Sequence, residues 1–275
     1  KFMNLPTFQE FLDAGVHFGH LTKKWNPAMA PYIFMEKNGI HIIDLNKTVV
    51  KLEEASNAVK QITKSGKTIL FVATKKQAKE IIASKLKETG MPYITERWWG
   101  GMLTNFATLR RALKKISNIE KLEKGGTFEK LSKREKLQLL REKEKLEKRL
   151  GSVSEMSKLP SAIFVVDVLK EKIAIKEAQK LGIPIFAMVD TNSDPKGIDF
   201  VIPANDDAAQ SIDIILKVIV QSIKEGLSER VLEKDKEKDE KKVKSPIRKK
   251  SNKSEDFENE TEFDSENNNE INEEE

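Results

Sequence analysis

Three short runs of this chain carry no charge at all: Thr68-Ile69-Leu70-Phe71-Val72-Ala73, Ala162-Ile163-Phe164-Val165-Val166 and Ile185-Phe186-Ala187-Met188-Val189. A strand with one wet face alternates apolar and polar residues, whereas an unbroken apolar run belongs to a strand buried on both faces. Helical stretches alternate with these runs. Lys75 to Thr89 is closed by Gly90, Glu171 to Leu181 stops at Gly182, and Asp206 to Glu225 follows a short run at Phe200-Val201-Ile202. Earlier, Ile40 to Leu45 reads as a strand and Asn46 to Ile62 as a helix with apolar Val49, Val50, Leu52, Ala55 and Val59. Pro92-Tyr93-Ile94-Thr95 supplies one more short strand. Buried runs alternating with helices predict an α/β body, a doubly wound parallel sheet with helices on both faces.

One stretch breaks the alternation. Arg97-Trp98-Trp99-Gly100-Gly101-Met102-Leu103-Thr104-Asn105-Phe106 opens a long charged segment that ends near Pro160. Within it Phe106, Leu109, Leu113 and Ile116 recur at three and four, the narrow seam of a coiled coil. Gly125-Gly126 marks a turn, Ser132 with Glu135 has capping-box spacing, and Leu139, Leu146, Leu150 and Val153 resume the seam. Two antiparallel helices of this length would reach about 30 Å from the body. Between Asn105 and Leu150 there are 15 Lys+Arg against 7 Asp+Glu. At least one tryptophan is expected to pack the arm against the sheet, with the glycines letting the chain turn outward. The expected organisation is a discontinuous body over 1–102 and 154–227, a hairpin arm over 103–153, and a tail over 228–275. From Ser228 the apolar residues thin out and Lys and Glu alternate, a composition that predicts disorder.

Charge points to a partner. The chain carries a net +5, but residues from Ser228 hold 11 Lys+Arg against 17 Asp+Glu, so the rest holds 38 against 27. A basic body of this kind favours a polyanion, whose condensed counterions it releases on binding. With no cysteine, disulfides, thiolate zinc fingers and thiol catalysis are excluded, which fits a reducing cytosol. No stretch has the roughly 18 apolar residues of a membrane span, so a soluble, non-membrane protein is expected.

Catalytic signatures are missing. A doubly wound sheet invites a nucleotide, yet Thr74-Lys75-Lys76-Gln77 stands where a glycine loop would, and neither G-x-G-x-x-G nor a Walker pattern occurs. Lys75 and Lys76, at a helix start, would suit a phosphate of RNA, or simply form a solvated basic turn. There is no G-x-S-x-G elbow beside the three histidines His17, His20 and His41. Carboxylates at Asp190, Asp194, Asp206 and Asp207 follow strands and should gather at the sheet's carboxyl edge. With a folded-over His17 loop, His17, Asp190 and Asp206 would offer ligands to a zinc-like ion. A helix cap at Asp206 and an Asx turn from Asp190 to Pro195 account for the same residues without an ion. Arg97, Arg110, Arg111, Lys114 and Lys115 cluster with no acid before Glu120, so pairing along the helix does not explain them.

The segments Ala14 to His20, Trp25-Asn26-Pro27, Gly39 to Thr48, Arg97 to Phe106, Val189 to Pro195 and Ile202 to Ala208 resemble, in order and spacing, the bacterial small-subunit ribosomal protein S-two family, from about Thr7 to Gly226. The resemblance implies a flavodoxin-like, Rossmann-like parallel sheet with an inserted antiparallel coiled-coil hairpin. It also implies a cytoplasmic, ribosome-bound structural protein with no required cofactor and no enzymatic activity. Its partners would be small-subunit ribosomal RNA and other small-subunit proteins, notably ribosomal protein S-one. The residues expected to meet RNA are Lys23, Lys24, Trp25, Lys75, Lys76, Arg97, Arg110, Arg111, Lys114 and Lys115. The rivals are a nucleotide-dependent enzyme on the same sheet and a coiled-coil adaptor that binds only protein.

Overall fold

The computed structural model describes residues 5–126, 128, 131–154, 156 and 158–243. Two sheets are present. The smaller is antiparallel, in the order β1-β3-β2, from Phe18–Leu21, Ile40–Ile43 and Ile33–Lys37. The larger is parallel, with strands β4 (Ile69–Val72), β5 (Tyr93–Ile94), β6 (Ala162–Val166), β7 (Ile185–Val189) and β8 (Phe200–Pro203) in the order β5-β4-β6-β7-β8. Counted along the chain that order is 2-1-3-4-5, the flavodoxin-like arrangement, and its direction reverses between β4 and β6.

The three uncharged runs do form β4, β6 and β7, buried along their whole length. Their register places Phe71, Phe164, Phe186 and Phe200 side by side across four strands. The Phe186 and Phe200 rings stack with centroids 4.3 Å apart. This phenylalanine row faces α2 (Leu45–Lys64), α3 (Lys76–Leu86) and the apolar side of α7 (Ala209–Val243). The alternate residues, Leu70, Val72, Ile163, Val165 and Ala187, face α6 (Lys172–Leu181) and the arm root. Side-chain alternation along each strand thus sorts the core into two layers.

The arm consists of α4 (Phe106–Lys124) and α5 (Lys133–Leu150), 19 and 18 residues, each close to 28 Å by helical rise. It occupies the β5-to-β6 crossover, where a parallel sheet ordinarily places a single helix. Leu109, Leu150 and Val153 pack its root onto the sheet. Leu109, Ile116 and Ile119 of α4 are buried, and the box at Ser132 and Glu135 is formed.

Three expectations differ from this picture. The Ile40–Ile43 strand lies in the antiparallel sheet, paired with β1 and β2, and is no part of the parallel one. The segment around His17, expected as a loop, runs directly into β1, and β2 follows it; their exposed, non-alternating faces give no periodic signal. The last helix continues to Val243, past the change in composition at Ser228. The compact unit, arm included, ends at Asp235, and residues 244–275 of the expected disordered tail lie outside the described residues. A short α1 (Phe8–Asp13) opens the body on the Thr7–Glu10 capping box.

Candidate nucleic-acid interface

The joint between body and arm is organised by a residue the sequence reading passed over. Glu177, buried in α6, accepts five hydrogen bonds from the Trp98–Thr104 segment. Trp98 Nε1 (3.1 Å) and the Gly101 amide (2.7 Å) donate to Oε1. The Leu103 amide (3.0 Å), the Thr104 amide and the Thr104 hydroxyl (both 3.1 Å) donate to Oε2. Burial alone would raise this carboxyl, but the bonds from Thr104, Gly101, Trp98 and Leu103 outweigh it and hold its pKa below the ordinary value. Gly101 sits at φ +90°, a conformation a side chain would strain, and this lets its amide turn onto the carboxylate. A signal was available: Glu177 falls on the same helical stripe as buried Ala174 and Ala178. A glutamate inside an apolar stripe asks for donors.

The two tryptophans divide the labour. Trp98 is 6% exposed and bonded; Trp99 is 44% exposed, with the Arg149 guanidinium 4.8 Å from its ring centre.

The expected cations scatter. Lys23 and Lys24 are exposed on a short 3-10 turn, followed by Trp25, whose ring lies 5.1 Å from that of His41. Arg110, Arg111 and Lys114 are exposed on α4 with no described carboxylate in ion-pair range. Lys115 differs: Glu142 of α5 pairs with it across the hairpin, a partner that only the fold brings near. Arg97 shares a cleft with Lys145, Lys148 and Arg149 of α5, cations not singled out in the sequence.

Lys76 is exposed at the start of α3, but Lys75 requires correction as a phosphate ligand. Its Nζ lies 2.7 Å from Asp206 Oδ1, 2.7 Å from Asp207 Oδ1 and 3.4 Å from Asp167 Oδ2. Burial depresses its pKa, yet these carboxylates raise it above the usual lysine value. Burial and the charges of Asp190 and Asp167 push Asp206 up to about 7, against the pull of Lys75. Beside it, Glu171 accepts both the amide and the hydroxyl of Thr74. The crevice at the switch point, where such sheets hold nucleotides, is occupied by Lys75 and the carboxylates of Asp167, Asp206 and Asp207.

A different histidine stands beside Asp190 and Asp206. His20 Nδ1 is 3.0 Å from Asp190 Oδ2, and His20 Nε2 is 3.1 Å from Asp207 Oδ2. Ligand atoms of His20, Asp190 and Asp206 lie within 4.8 Å of one another, the one such group among the described residues. His17 instead packs its ring on Phe18, centroids 4.0 Å apart. Gly19 lets the strand carrying His20 approach Thr191, because a side chain there would collide with Thr191 and the His41 carbonyl. The helix-cap reading of Asp206 also shifts by one residue: Asn205 Oδ1 accepts the Asp207 and Ala208 amides just before α7.

Against this geometry stand the comparisons. The family described as "Ribosomal protein S2" matches residues 11–226. The chain belongs to that family. It is 64% identical over 211 residues, 77% of this chain and 83% of the relative, to "Small ribosomal subunit protein uS2" of Flavobacterium johnsoniae. The protein of the same name from Azobacteroides pseudotrichonymphae is 59% identical, over 78% of this chain and 81% of its own length. That from Bacteroides thetaiotaomicron is 58% identical, over 78% and 77%. The family is structural rather than enzymatic, in keeping with the self-filled crevice. No described helix is long and apolar enough to cross a membrane.

Proposed function

We propose that this ribosomal S-two family member is a structural constituent of the small ribosomal subunit that binds small-subunit RNA through its arm and exposed basic loops. The observation that carries the reading is the arm: 15 cations against 7 acids on a hairpin fixed to the body, with no acidic partner for Arg110, Arg111 or Lys114 among the described residues. Such residues position a protein on phosphates and read shape rather than sequence. Lys23, Lys24, Trp25, Lys76 and Arg97 extend this surface; Lys75 does not.

A second surface suits a protein partner. Phe18, Leu21, Phe34 and Met35 are exposed on the small sheet, Phe34 at 70%. Clustered apolar side chains of this kind mark interaction sites, and this is the face that would dock ribosomal protein S-one. The reading requires no cofactor. His20, Asp190 and Asp206 would be the ligands of a zinc-like ion, and metal analysis of purified chain finding no stoichiometric zinc would remove that addition.

The test of RNA binding is charge reversal of Arg110, Arg111 and Lys114 together. Affinity for small-subunit RNA should fall, and the slope of log K against log salt should flatten by about 2 to 3. An unchanged slope would show that the arm does not touch phosphate.

A further inference from the structure

Trp99 is the feature that phosphate binding leaves unused. A cleft of about 670 Å³ opens beside it, lined by Glu96, Arg97, Trp98, Gly100, Lys145, Lys148, Arg149 and Ile173. Its one acid, Glu96, is engaged by Lys79 at 3.3 Å. Among the described residues no carboxylate lies in ion-pair range of Arg97, Lys145, Lys148 or Arg149. Four cations without an acidic partner among the described residues therefore line the cleft beside an indole whose chain neighbours, the Trp98 side chain and the Gly101 amide, donate to Glu177. The cations continue outward. Arg141, Lys145 and Arg149 are spaced one turn apart on α5, and with Arg134 they line a second groove running along the arm.

We propose that this cleft takes one unstacked nucleotide of single-stranded RNA, with its base on the Trp99 indole and the flanking phosphates on Lys145, Lys148 and Arg149. The proposal rests on the RNA-binding reading and narrows it from shape to strandedness. A duplex keeps its bases stacked inside and presents only backbone, so an exposed indole adds nothing to duplex binding. An unpaired base offers a π-face to an aromatic ring whatever its identity, and cations beside the ring take the phosphates. Arg149, already over the indole, adds its own planar group to the stack. An apolar protein surface would desolvate four unpaired charges here, which disfavours it. An acidic peptide satisfies the charges but leaves the exposed ring without a role.

The test uses full-length chain, a short unstructured oligouridine, and an RNA duplex of equal phosphate number. Trp99→Leu should weaken oligouridine binding about tenfold and leave duplex binding unchanged, while Trp99→Phe keeps most of the affinity. Lys145→Glu with Lys148→Glu should weaken both ligands. Equal oligouridine binding by Trp99→Leu and the native chain, with RNA binding otherwise intact, overturns the cleft and spares the RNA reading. A native chain that binds neither RNA overturns both. Oligoglutamate binding that depends on Trp99, without a matching effect on oligouridine, would assign the cleft to a protein partner and also overturn the proposal. Since Trp99 is exposed, circular dichroism and melting of Trp99→Leu should match the native chain.

Discussion

At the arm root a buried carboxylate is met only by neutral donors; at the carboxyl edge of the sheet a buried ammonium is met only by carboxylates. Glu177 takes its five hydrogen bonds from four residues of one short segment, Trp98–Thr104: an indole, three backbone amides and a hydroxyl. Lys75 takes its partners from Asp167, Asp206 and Asp207, each placed at the end of a strand or just beyond it. Amides and indoles do not titrate near neutral pH, so the Glu177 joint changes only when Glu177 itself is protonated. Carboxylates do titrate, so the Lys75 network shifts with pH. The difference suits their places. One fixes the direction in which a basic arm leaves the body, and the other ties together the loops at the carboxyl edge of the sheet.

The largest expected effect is at the joint. Glu177→Ala strands at least four buried or half-buried donors at once and should cost about 4 kcal/mol, read from urea denaturation. The folded pKa of Glu177 lies below its unfolded value, so its contribution is fully present above the unfolded carboxyl range. It is lost as pH falls through the folded value. Native chain and Glu177→Ala should therefore converge in stability on acidification. A constant gap down to strongly acidic pH would mean that the alanine cost is a cavity and not a lost carboxylate.

Next comes the sheet edge. Lys75→Met leaves Asp206 without its ion-pair partner, and Asp207 with His20 alone, and should cost about 2–3 kcal/mol. Asp206 is already raised to about 7, so its favourable protonated form is present below the unfolded carboxyl range and fades as pH rises through about 7. Removing Lys75 takes away the main group pulling that pKa down. The loss should then be larger at pH 8 than at pH 6, because at the higher pH the acids are ionised and unpaired. Equal losses at the two values would show that Lys75 acts there by packing alone.

The parallel sheet was legible because burial on both faces removes every polar residue from a strand, as in Ile69–Val72, Ala162–Val166 and Ile185–Val189. The arm was legible from its seam and the box at Ser132 and Glu135. The small sheet was not, because β2 exposes Phe34 and Met35 beside Glu36 and Lys37, and no alternation survives. The site was harder to read than the fold. Lys75 and its carboxylates lie far apart in the chain, and nothing local says which of two adjacent lysines turns inward. His17 precedes and His20 lies within the same short strand, and the approach of Thr191, whose hydroxyl accepts the His20 amide at 2.8 Å, goes with His20. Trp98 and Trp99 were expected to include one packing residue. Which of them it is depends on Glu177, remote in sequence.

The smallest effect separates those two tryptophans. Trp98→Phe keeps a ring against Met102 and Leu103 in the same core cluster but removes the one donor that Trp98 gives Glu177. The remaining four bonds still satisfy both carboxylate oxygens, so the cost should be about 1–1.5 kcal/mol, and RNA affinity should hardly move. Trp99→Phe, on an exposed ring with no hydrogen bond to lose, should fall within about 0.5 kcal/mol of the native chain. Denaturation curves of the two variants, collected side by side, measure the contrast. If Trp99→Phe proves the more destabilising, the arm root is held by the arginine-stacked indole, and Glu177 is not the bolt.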